Sequence, residues 1–116
     1  MAATIYGIKA CDTMKKARDW LDGRGVVYAF HDYKASGVAR ATLEGWARKV
    51  GWDVLLNRAG TTFRKLPDAD KTGVNEVKAI ALMLAQPSMI KRPVLDVEGE
   101  LIVGFKPEVY AARLGR

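Results

Sequence analysis

Cys11 is the one thiol of the 116-residue chain, and its neighbours Lys9-Ala10-Cys11-Asp12-Thr13-Met14-Lys15-Lys16 are of kinds that could activate it. A thiol attacks only as the thiolate. Its ordinary pKa of about 8.5 falls to roughly 3.5–7.5 beside cations or at a helix N-terminus. Lys9 and Lys15 bring positive charge, whereas Asp12 opposes it. The polar flanks set Cys11 apart from the small buried cysteine that only packs. Nucleophilic attack on a disulfide or another oxidised centre is the chemistry these residues could do. One cysteine and one histidine give neither an internal disulfide nor the usual thiolate and imidazole set for zinc. His31, near the end of a predicted strand and in no motif, reads as an edge residue rather than a general base.

The pattern on either side predicts how Cys11 is positioned. Thr4 to Ile8 reads as a strand, with β-branched and aromatic residues around Gly7. From Asp12 the period becomes helical: Met14, Ala17 and Leu21 share a face that Trp20 borders. Asp12 and Thr13 suit the first turn, where side-chain oxygens take up free amides. Cys11 is thus expected at or just before a helix start, where unpaired N–H groups and the positive end of the helix favour an anion. Gly23 or Gly25 closes the helix. Val26 to Tyr33 reads as a second strand with Val26, Tyr28 and Phe30 on one face, completing a parallel, right-handed βαβ unit.

Further along, Ala35 to Val38 is a turn. Leu43, Trp46, Ala47 and Val50 form the face of a helix ended by Gly51, and Trp52 to Asn57 adds a helical turn. Arg58 to Leu66 has no clear period and mixes cations, hydroxyls and Gly60, a composition able to present donors to an anion. Pro67 to Lys71 reads as polar linker. Thr72 is read as the N-cap of a third helix with Val77, Ile80, Ala81 and Leu84 inward, stopped at Pro87. Pro93–Val97 and Glu100–Gly104 flank Glu98-Gly99 as a tight antiparallel hairpin. Pro107 opens a last helix whose apolar side is Val109, Tyr110 and Leu114. The sum is one α/β domain: a thioredoxin-like four-stranded mixed sheet flanked by helices, with a helical insertion at about 36–90. Arg92-Pro93 opens the third strand, where a cis proline would turn the backbone toward Cys11.

The length suits a single core. No apolar run is long enough to span a membrane, and Met1-Ala2-Ala3-Thr4 lacks the pattern of a signal peptide. With the lone cysteine, these features point to a reducing cytoplasmic setting. The net charge of +6 suits an anionic small molecule or an acidic partner. The basic residues are scattered and no recognition motif appears, so nucleic acid is not an expected partner. A monomer without a bound cofactor is expected.

Three segments together resemble the arsenate reductase/Spx (ArsC-like) family, and most of all its YffB-like branch. They are Tyr6-Gly7-Ile8-Lys9-x-Cys11-Asp12-Thr13-x-Lys15-Lys16-Ala17, Leu55-Leu56-Asn57-Arg58-x-Gly60-Thr61-Thr62-x-Arg64 and Ile90-Lys91-Arg92-Pro93-Val94. The resemblance implies a thioredoxin-like fold with an inserted helical part. In the arsenate reductases the cysteine attacks arsenate, arginines hold the oxyanion, and glutathione and glutaredoxin supply electrons. Cys11 matches that nucleophile and Arg92 one of the arginines. A second arginine falls at Asn57-Arg58, with Asn57 in register and Arg58 one step off. A third falls near Val103-Gly104-Phe105-Lys106, which holds none. Spx-like regulators carry a Cys-x-x-Cys switch and bind RNA polymerase, whereas here Cys11 is followed by Asp12-Thr13-Met14. The YffB-like branch implies a glutathione-dependent thiol reductase. On that reading Cys11 is catalytic, and an external thiol, glutathione, resolves the mixed disulfide. Lys9, Lys15, Arg58, Arg64 and Arg92 hold the thiolate and the glutathionyl carboxylates, Thr13 and Thr61 add hydroxyl donors, and Pro93 shapes the site. Arsenate reduction by the same cysteine and a non-catalytic, Spx-like binding role are the alternatives.

Overall fold

The computed structural model describes residues 2–116. The chain runs β1 (Ala3–Gly7), α1 (Asp12–Gly23) and β2 (Ala29–Asp32), then α2 (Tyr33–Ser36), α3 (Arg40–Val50), α4 (Trp52–Leu55), α5 (Thr61–Arg64), α6 (Asp68–Lys71) and α7 (Glu76–Ala85). A 3₁₀ turn (Pro87–Met89), β3 (Val94–Val97), β4 (Glu100–Val103) and α8 (Pro107–Leu114) complete it. These elements form two compact units, one from Met1–Asp32 with Arg92–Arg116 and one from Tyr33–Lys91. Among the described residues no helix is long and apolar enough to cross a membrane.

The first unit is built on a four-stranded mixed sheet in the order β2-β1-β3-β4, the α/β architecture expected. β1 pairs in parallel with β2 and antiparallel with β3, and β3 pairs antiparallel with β4. The registers Ile5↔Phe30, Ile5↔Leu95 and Leu95↔Ile102 align a row of apolar side chains across the sheet. Successive strand residues alternate faces, so this row lies on one side. Met14, Ala17 and Leu21 of α1 and Tyr110 and Leu114 of α8 complete the same core. Trp20 meets Tyr110 edge-on at 5.7 Å, tying α1 to α8. At the tip of the hairpin Glu98 and Gly99 both have positive φ, 52° and 89°, as a primed two-residue turn requires.

The second unit is helical and occupies the chain between β2 and β3. The two long helices expected are present as α3 and α7, with Leu43, Trp46 and Ala47 buried on one and Ala79, Ile80 and Met83 on the other. Leu56 bridges Ile90, Asn57 N–H donates to Met89 O at 2.7 Å, and Lys91 N–H donates to Leu55 O at 2.8 Å. These bonds pin the segment after α4 to residues 89–91 of the same unit.

Several expectations need correction. The second strand covers only Ala29–Asp32, because Val26 N–H turns back to Leu21 O and Tyr33 closes into α2. The helical unit runs Tyr33–Lys91. Residues 68–71, read as linker, form a helical turn whose Asp68 O accepts both Thr72 N–H and Thr72 Oγ1–H. Thr72 thus ends α6, and the N-cap of α7 is Asn75, whose Oδ1 accepts Lys78 N–H at 2.9 Å. The buried face of α7 is Ala79, Ile80 and Met83, so Val77 and Ala81, expected inside, are exposed, Val77 to 77%.

Candidate active site

Cys11 is the N-cap residue of α1, with extended backbone at φ −140° and ψ 127°. Its carbonyl accepts the first helical bond, from Lys15 N–H at 2.9 Å. The thiol is half-buried against the core, beside the amides of the first turn of α1. Burial pushes its pKa up, but the Met14 N–H, a hydrogen bond with the Arg92 guanidinium, the Thr13 N–H and the Arg92 charge outweigh that. The thiol therefore lies below its ordinary value. This is a helix N-terminus and a cation acting together on one sulfur.

Arg92 reaches the thiol through sheet register. Tyr6 faces Val94 in the antiparallel β1–β3 pair. Arg92 lies two residues before Val94, on the side of the pairing toward the end of β1 that leads into Cys11. The Arg92-Pro93 peptide is cis, Pro93 is buried, and its carbonyl accepts Gly104 N–H at 2.8 Å. Gly104 has φ +83°, a value that L side chains rarely adopt. Gly7 is fixed by close approach: a Cβ there would sit 2.2 Å from Met14 Sδ, and Met14 is fully buried. The glycine lets α1 seat its first turn directly against β1, which is what brings Met14 N–H to the thiol.

An open groove of about 510 Å³ leads away from Cys11 between Lys9 and the exposed side of α1, as far as Arg18 and Asp22. Lys9 and Lys15 both line it. Lys15 Nζ is engaged 3.0 Å from Asp19 Oδ2, an exposed pair one helical turn apart. Thr13 acts on the thiol through its backbone N–H. Arg58, Thr61 and Arg64 belong to the helical unit: Arg58 lies over the Trp52 ring at 5.0 Å, Thr61 opens α5 and Arg64 closes it. Sequence reasoning missed Met14 N–H and Arg18. Arg18 stacks on Phe30 at 4.4 Å and its Nε–H donates to Tyr28 Oη at 3.3 Å, contacts that exist only once β2 lies beside β1.

Residues 6–113 match the sequence profile described as the ArsC family. A solved structure described as YFFB (PA3664) protein is 64% identical, covers 95% of this chain and 96% of its own, and superposes with a TM-score of 0.92. The solution structure of an arsenate reductase (ArsC) related protein from Brucella melitensis is 57% identical, with 100% and 97% covered and a TM-score of 0.80. The global transcriptional regulator Spx of Streptococcus mutans is 28% identical over 116 residues, 97% of this chain and 83% of the regulator.

Proposed function

The chain belongs to the ArsC family, and from that premise we propose that it is a single-cysteine thiol oxidoreductase that uses glutathione as its resolving thiol. One observation carries the reading: the only sulfur nucleophile of the chain is held at a helix N-cap, with two N–H groups and the Arg92 guanidinium favouring its anion. With a glutathionylated substrate, the Cys11 thiolate attacks the glutathionyl sulfur. The Cys11–glutathione disulfide forms and the substrate sulfur departs as a thiolate that takes up a proton. A second glutathione thiolate then attacks the bound glutathionyl sulfur. Glutathione disulfide leaves, and the electron pair of the broken bond returns to Cys11. The substrate's mixed disulfide becomes a thiol, and one glutathione joins the glutathionyl group released from it in a new disulfide, so one S–S bond is exchanged for another and the electrons balance without a second protein thiol. Arg92 stabilises negative charge on sulfur at both steps.

The test is glutathione-dependent reduction of a glutathionylated peptide, followed through the glutathione disulfide it releases. Wild-type protein turns over and accumulates an adduct of one glutathionyl group on Cys11 when the second glutathione is withheld. Cys11→Ser keeps the same circular dichroism and does neither. Full activity in that variant would overturn the reading.

A second reading, oxyanion reduction, is favoured by the same cradle, since a helix N-terminus and an arginine beside a thiolate also suit an arsenate-like anion. Against it, Val103 to Lys106 provides no further arginine. Turnover that depends on arsenate in the presence of glutathione and glutaredoxin selects this reading; its absence at saturating arsenate removes it.

A further inference from the structure

We infer that the groove running from Cys11 to Arg18 and Asp22 is the subsite for the γ-glutamyl end of a glutathionyl group, with Arg18 taking its carboxylate and Asp22 its ammonium. The inference rests on the thiol-reductase reading and names a recognition element that reading does not contain.

Three observations lead to it. First, Arg18 is held in place before any ligand arrives. Its guanidinium lies over the Phe30 ring at 4.4 Å and one N–H is committed to Tyr28 Oη. The stacked, planar group keeps its terminal N–H groups for a bidentate partner. Second, the neighbouring charges are disposed for a zwitterion. Lys15 and Asp19 neutralise each other, while no ion pair among the described residues joins Arg18 to Asp22, one helical turn further on. Residues four apart on a helix have their Cβ atoms about 5–6 Å from each other, so both side chains can reach one small ligand in the groove they line. The α-carboxylate and α-ammonium of a γ-glutamyl residue are a matching pair on one carbon, whereas the C-terminal glycine carboxylate has no ammonium beside it.

Third, the lengths agree. Arg18 is seven residues beyond Cys11, so the two backbone positions are about 10 Å apart along the axis of α1 at 1.5 Å per residue. The γ-glutamyl arm of glutathione has eight bonds from sulfur to carboxylate carbon and spans about the same length when extended. With the sulfur at Cys11, the arm lies along the groove and the glycine carboxylate falls on the side of Lys9.

The experiment compares the rate at which Cys11 attacks glutathione disulfide with the rate at which it attacks 2-hydroxyethyl disulfide, which has no charges. In each case one sulfur is captured by Cys11 and the other departs as a thiolate. Arg18→Ala is expected to lower the ratio of the two rates about tenfold, the scale of one lost charge-assisted hydrogen bond. Arg18→Met keeps the stem over Phe30 without the charge, and it should lower the ratio equally, which guards against a folding defect in the alanine variant. Independently, S-methylglutathione, unable to form a disulfide, is titrated into Cys11→Ser. It should shift the NMR signals of Arg18, Asp22 and Tyr28, and cease to do so once Arg18 is also replaced. Wild-type protein that reacts with neither disulfide overturns the reductase reading and this one with it. Wild-type protein that reacts with both, at a ratio indifferent to Arg18, overturns this inference alone.

Discussion

Whether Cys11 ionises is decided by opposing effects of known sign. Burial favours the neutral thiol, while Arg92 and the N–H groups of Met14 and Thr13 favour the anion and prevail. Alkylation by a neutral reagent should therefore have its pH midpoint below about 8.5, the free-cysteine value. Arg92→Ala should move that midpoint upward and slow alkylation at pH 7; an unmoved midpoint would show that the guanidinium does not act on the sulfur. Stability follows the same linkage. The folded pKa lies below the unfolded one, so ionisation adds stability that is fully present above about pH 8.5 and is lost as pH falls through the lowered folded value. The place of Cys11 was legible in the sequence, because Asp12 and Thr13 mark a helix start and the period changes there. The source of the positive field was less so. Lys15, near in sequence, is turned to Asp19, while Arg92, far in sequence, arrives through strand pairing.

At the scale of elements, the β1–α1 junction is the part that the site cannot do without. Gly7 is the glycine that a close approach demands there. The atom a Cβ would strike is the end of a flexible side chain, but Met14 is enclosed on all sides and has nowhere to swing. Gly7→Ala should cost about 1–3 kcal/mol of stability, the usual range for overpacking, in chemical denaturation with an unchanged m-value. It should also slow Cys11 alkylation, because displacing Met14 displaces its N–H. A loss of stability without slower alkylation would separate packing from activation. Elements with strong periodicity, such as α1 and α3, were readable from sequence, as was the Glu98-Gly99 hairpin. Short ones were not. Val26 is buried but Val27 is 85% exposed, and the chain there closes a helix end instead of extending a strand. Thr72 and Asn75 are both plausible caps by type, and only the geometry of α6 assigns Thr72 to a helix end.

At the scale of the whole molecule, the charge near the thiol and the charge of the chain differ. The groove beside Cys11 is lined by three basic residues, Lys9, Lys15 and Arg18, and three acidic ones, Asp12, Asp19 and Asp22. The net +6 therefore lies elsewhere on the chain and acts at long range. Attack on glutathione disulfide, a net anion, should slow as salt rises from about 0.01 to 0.15 M, where the screening length falls from about 30 to 8 Å, and the neutral disulfide should not respond. Equal salt dependence for both would rule out steering. Composition announced the excess of charge; its distribution required the fold. A final consequence follows from the helix N-cap that carries Cys11. A sulfur whose anion is stabilised is not only quicker to ionise but also a better leaving group. Any disulfide formed there is thus primed to be expelled by the next thiol to arrive. With no second cysteine in the chain to close on it, the residence time of the adduct is set by the supply of thiol in the surroundings.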